Sequence, residues 1–117
     1  MIFPAVLNLQ IVRGCTFEAL EFQMLADDEI TPINITGWNF AAEVRKMPGD
    51  TVVVDLAPAI TDAPNGVVRL PAIDDETTMT YATGGFQWDL LGEDGSDNRQ
   101  QIVRGRFLII DPITDSG

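Results

Sequence analysis

The chain has 117 residues, with 18 acids against 7 bases, no histidine and a formal net charge of −11. One domain fits that length, and a chain of this size buries roughly two-thirds of its unfolded surface, enough for one core. The charge excludes a nucleic-acid face, which needs clustered cations: the only lysine is Lys46, and the arginines are dispersed from Arg13 to Arg106. An anionic membrane surface is disfavoured for the same reason, and no apolar run approaches 18 residues. The single cysteine, Cys15, forms no intrachain disulfide, so the core must carry the fold.

Hydrophobic residues recur at every second position along most of the chain, the period of a strand. Leu7, Leu9 and Ile11 share one face of an opening strand that Arg13-Gly14 punctuates. From Thr16 to Leu25 a second run changes phase, with Phe17 and Ala19 on one parity and Leu20, Phe22 and Met24 on the other, which predicts either a β-bulge near Ala19 and Leu20 or a strand covered on both faces. Ala26 to Thr36 reads as turn and loop. Trp38, Phe40, Ala42 and Val44 then alternate with Asn39, Ala41, Glu43 and Arg45. Met47-Pro48-Gly49-Asp50 has hairpin chemistry, and Thr51 to Leu56 supplies the partner strand.

Ala57 to Pro64 contains two prolines and reads as a connection. Asn65-Gly66 introduces a short strand, Val67 to Leu70. The acids Asp74, Asp75 and Glu76 suit the N-terminus of one helical turn, so a short helical crossing is expected over 74–80. Phe86, Trp88 and Leu90 mark the next strand, and Gly92 to Asn98 a loop. The last strand runs from about Gln100 to Ile110, with Val103, Gly105, Phe107 and Ile109 on one parity and Arg104, Arg106, Leu108 and Ile110 on the other. About seven strands at this spacing predict an all-β, antiparallel sandwich or barrel. The expected core is Phe17, Phe22, Trp38, Phe40, Val44, Phe86, Trp88, Leu90, Phe107 and Ile109. The whole of 1–117 reads as one domain whose ends, 1–5 and 113–117, are flexible or partner-bound.

Chemistry has few footholds. Absence of histidine removes the commonest general base and metal ligand. No catalytic residue, cofactor or metal site is predicted. The acids cluster in loops, where solvation explains them better than a hydrolytic pair such as one drawn from Asp74, Asp75 and Glu76. Glu93 to Asn98 offers oxygens to a calcium ion, but its spacing departs from the EF-hand loop. Trp38 and Trp88 sit on apolar parities, which favours packing over sugar stacking. The candidate interface residues are Ile2, Phe3 and Val6 at one end, and Arg104 and Arg106 on the last strand.

Taken in order, the sequence resembles small tail-associated structural proteins of tailed bacteriophages, similar to the N-terminal module of phage baseplate upper proteins. An opening strand leads to Gly14-Cys15-Thr16-Phe17, like "G-x-T-F". Ile33-Asn34-Ile35-Thr36-Gly37 is similar to "I-x-L-T-G", Ala42-Glu43-Val44-Arg45 to "a-x-I-R", and Gly85-Phe86-Gln87-Trp88-Asp89-Leu90 to "G-x-Y-x-Y-D-L". Ile102 to Phe107 resembles "r-l-l-x-G-x-v-x-V". The resemblance spans Leu7 to Thr114. It implies an immunoglobulin-like β-sandwich, made in the host cytoplasm and located in the virion, that is a multi-copy assembly or adaptor part of the tail, baseplate or fibre-attachment region. The implied partners are other virion proteins and copies of itself, without nucleic acid or membrane. Capsid decoration, or a carbohydrate-binding or adhesion module, are the alternative expectations.

Overall fold

The computed structural model describes residues 4–113. Among them are nine strands and one helix: β1 (Ala5–Val6), β2 (Leu9–Val12), β3 (Leu20–Gln23), β4 (Asn39–Arg45), β5 (Val52–Asp55), β6 (Ala59–Asp62), β7 (Val67–Leu70), α1 (Asp75–Thr78), β8 (Gly84–Glu93) and β9 (Arg99–Ile110). The chain is all-β, and the single helical turn lies where the acidic run predicts it. Asp74 caps it, its Oδ1 accepting the Thr77 N–H at 2.7 Å.

Local chemistry builds the two long hairpins. In the loop between β8 and β9, Asp94 Oδ1 accepts the backbone N–H groups of Ser96 at 2.8 Å and Asn98 at 3.1 Å, closing the turn. Between β4 and β5, the Asp50 N–H bonds to the Met47 carbonyl at 3.1 Å. The alternation in β4 and β8 then sorts their faces: Ala42, Val44, Trp88 and Leu90 turn inward, while Glu43, Arg45, Gln87 and Asp89 turn outward.

Hydrogen bonding joins the strands into two sheets. The larger runs β1–β9–β8–β4–β5, with β2 also on β9, and the smaller runs β3–β7–β6. Named by immunoglobulin convention in chain order, strands B, E and D face G, F, C and C′, with the opening strand beside G. The sandwich is immunoglobulin-like. Antibody domains bridge strands B and F with a disulfide. Here the corresponding strands, β3 and β8, are bridged by the rings of Phe22 and Trp88, with centroids 6.4 Å apart. Phe17 and Phe107 make a second cross-sheet pair at 6.0 Å.

All ten expected core residues belong to this core. Phe17, Val44, Trp88, Leu90, Phe107 and Ile109 are buried, and Phe22, Trp38, Phe40 and Phe86 are half-buried against them. Four details differ from the sequence reading. First, there are nine strands rather than about seven, because the opening strand is split at Leu7-Asn8 and β6 lies inside the expected connection. All four β6 residues are exposed, so no apolar alternation marks it. Pro58 and Pro64 flank it, as suits an edge strand. Second, pairing is not wholly antiparallel: β1 and β2 run parallel to β9, from Ala5↔Val103 to Val12↔Ile110. The rest of the domain serves as the crossover that parallel pairing requires.

Third, the phase change after Phe17 is not a bulge. Phe17 pairs with Ile73 in the same register that pairs Leu20 with Leu70. The ladder is interrupted on both sides, at Glu18-Ala19 and at Pro71-Ala72, because Pro71 has no N–H to give. Fourth, register shifts lie elsewhere, at Val44-Arg45 on β4, at Ile60 to Asp62 on β6 and, with most effect on the core, between Leu90 and Leu91 opposite β9. The last of these turns both Ile102 and Val103 inward, burying an isoleucine that strict alternation assigns to the outer face. The expectations for Ile2, Phe3 and the tail from Thr114 fall outside the described residues.

Candidate functional site

The outer face of the larger sheet carries the most distinctive surface. Two rows of side chains cross it at the strand spacing. Paired registers set one row as Asp55, Glu43, Asp89, Arg104 and Val6, on β5, β4, β8, β9 and β1 in turn. The next row is Arg45, Gln87 and Arg106. An open groove of about 880 Å³ lies over these rows, rimmed by Met47 and Val6.

Charge is separated across the face, acids toward β5 and arginines toward β1. Arg45 is engaged: its Nη2 donates to Glu43 Oε1 at 2.8 Å and its Nη1 to the Asp50 carbonyl at 2.6 Å. Asp89 lies directly opposite Arg104 in the ladder, yet its Oδ2 accepts from Gln101 Nε2 at 3.1 Å instead. Arg104 and Arg106 form no ion pair among the described residues. Arg69, opposite Glu21 on the smaller sheet, forms none either; what sets Arg104 and Arg106 apart is that they share one face of a chain of net charge −11. Intramolecular acids are close in sequence and in space, and the fold does not spend them on this pair.

Of the interface residues expected from sequence, Val6, Arg104 and Arg106 are brought together here. Glu43, Asp89 and Gln87 complete the face and were not singled out by sequence. Their outward parity is readable; their alignment with Arg104 depends on the irregularity at Leu90, which no local signal announces.

The remaining candidates are occupied by structural work. Trp88 is 2% exposed, and its indole N–H donates to the Leu7 carbonyl at 2.8 Å. Trp38 is half-buried, with its ring stacked on Phe40 at 5.9 Å and 22°. Asp94 uses its carboxylate to hold its own turn, and the N–H groups of Ser96 and Asn98 hold its pKa below the usual carboxylate value. Asp74 is lowered likewise by the hydroxyl and N–H of Thr77. Tyr81 is raised, chiefly by burial and then by the charge of Asp74. Among the described residues no group of three or more His, Cys, Asp or Glu side chains is placed to hold a metal ion. No helix among the described residues is long and apolar enough to cross a membrane.

No family model matches this chain, and no curated protein does. Among solved structures, it is similar to a family 123 glycoside hydrolase from Clostridium perfringens, studied for glycolipid glycan hydrolysis. The two are 6% identical with a TM-score of 0.33, over 95% of this chain and 24% of that one. This chain thus spans about a quarter of that enzyme's length, at a likeness too low to establish a shared fold or function.

Proposed function

We propose that this chain is a structural module of a bacteriophage particle, a multi-copy assembly or adaptor part of the tail, baseplate or fibre-attachment region. The ordered sequence words from Gly14 to Phe107 motivate the phage assignment. The observation that carries the assembly role is the outer sheet face, where Arg104 and Arg106 form no ion pair among the described residues and stand beside a broad, open groove. Small-molecule sites are concave and bury most of their ligand; a charged, open sheet face suits a flat protein partner instead. Ion pairs formed there on assembly would set register and orientation more than raw affinity. A capsid decoration protein would use the same kind of face.

Quantitative mass spectrometry of purified particles tests the reading. The chain is expected in several copies per particle. Its abundance in infected cells together with its absence from purified particles would overturn the proposal.

A further inference from the structure

We infer that the outer face of the larger sheet pairs with the same face of a second copy, about a twofold axis that runs parallel to the strands between β8 and β9. This extends the reading of the chain as a multi-copy module, yet it is tested on the purified protein and does not depend on a particle.

The registers choose the axis. Face-to-face twofold pairing superposes a surface on its own mirror order. An axis running across the strands between the two rows would stack Arg104 on Arg106. An axis along β8 would stack Asp89 on Asp89 and Arg106 on Arg45. Both place like charges together, which disfavours association. The opposite pairs they also set, Glu43 over Arg45 of the partner subunit or Arg104 over Glu43 of the partner subunit, compete with the ion pair that Glu43 and Arg45 already form within one chain at 2.8 Å. An axis between β8 and β9 instead sets Arg104 over Asp89 of the partner subunit and Arg106 over Gln87 of the partner subunit, each contact occurring twice. Within the row it also brings Val6, which is 69% exposed, over the stem of Glu43 of the partner subunit.

Side-chain states fit this placement. Gln101 occupies only Oδ2 of Asp89, and Oδ1 accepts no bond among the described residues. The Arg104 guanidinium makes no ion pair among the described residues. A planar guanidinium is well matched to such a carboxylate. The long arginine side chains would fill the grooves that the two faces present to each other.

Sedimentation equilibrium of the full chain reads the outcome. A dimer is expected at about 0.1 M salt, where the Debye length is about 10 Å and the mutual repulsion of two chains of net charge −11 is partly screened. Arg104→Asp alone and Asp89→Arg alone should each weaken dimerisation on the order of tenfold or more. An equimolar mixture of the two should form heterodimers, because each would then meet an opposite charge, and the double reversal in one chain should restore the homodimer. Circular dichroism of each variant checks folding, and Arg106→Asp provides an independent weakening variant should Asp89→Arg fail to fold. A wild-type chain that stays monomeric at about millimolar concentration and about 0.1 M salt would overturn the inference. So would a dimer indifferent to both Arg104→Asp and Arg106→Asp.

Discussion

Trp88 and Leu7 are joined by a hydrogen bond from the indole Nε1–H to the Leu7 carbonyl oxygen, 2.8 Å long. Gly105, the partner of Trp88 in the β8–β9 ladder, makes the bond possible. A Cβ on residue 105 would lie 2.0 Å from that oxygen. The opening strand therefore kinks over a bare patch of β9, and Asn8 repairs the ladder there by accepting the Arg106 N–H on its side-chain Oδ1 at 3.0 Å. This junction fixes where β1 leaves off and β2 begins, and it seats Val6 beside Arg104.

Gly105→Ala should cost about 1–3 kcal/mol or more, because the methyl group meets backbone that cannot step aside. Gly95→Ala is the control: nothing lies within 4 Å of its Cβ position, so a change within about 0.5 kcal/mol is expected. Urea unfolding of the two variants, compared at constant m, measures the difference.

Trp88→Phe keeps a ring against Phe22 but leaves the Leu7 carbonyl without its donor. A loss of about 1–3 kcal/mol is expected for the orphaned acceptor. The native indole is buried, so its emission should be blue-shifted and shielded from acrylamide. Subtracting the variant's spectrum from that of the wild type isolates it from Trp38.

Thr78, fully buried at the end of α1, ties three segments together. Its Oγ1 accepts the Gly14 N–H at 3.1 Å and lies 2.9 Å from the Cys15 carbonyl and 3.1 Å from that of Asp75. Nearby, Arg13 donates to Asp111 Oδ1 at 2.8 Å and to the Met79 carbonyl at 3.1 Å. Thr78→Val preserves shape and removes the hydroxyl, so stability should fall by about 1–3 kcal/mol. Thermal unfolding followed by circular dichroism, against the wild type, checks it.

Acid should loosen the turn at residues 27–31. The Thr31 hydroxyl, the Thr31 N–H and the Ile30 N–H all donate to Asp28 and lower its pKa from 3.8 to about 2. A carboxylate depressed in the folded state stabilises it above the unfolded value, and that contribution is lost as pH falls through the folded value. The Asp28 contribution should thus be complete above about pH 4 and disappear toward pH 2. Asp28→Asn should flatten the wild-type decline in that window while leaving stability at lower pH nearly the same. Urea midpoints measured from pH 5 to pH 2 report it.

The sequence made much of this sandwich legible, and the exceptions have physical causes. Trp38 to Arg45 and Phe86 to Leu90 show their faces plainly because one side meets the core and the other meets water. The β6 strand is hidden because an exposed edge buries nothing that could impose an alternation. Parallel pairing of Leu9–Val12 with β9 joins residues nearly a hundred positions apart, and no turn residue encodes it. For the candidate face, Arg104, Arg106 and Val6 stand out by parity and position. The opposition of Arg104 to Asp89 and of Arg106 to Gln87 does not, because the irregularity at Leu90 resets the count between the strands.

Electron cryomicroscopy of assembled particles tests the central claim most directly. A resolved copy of this sandwich should have the β4–β8–β9 outer face covered by protein, with Arg104 and Arg106 at the contact. A copy held only through the β3–β7–β6 sheet, with both arginines facing solvent, would contradict it.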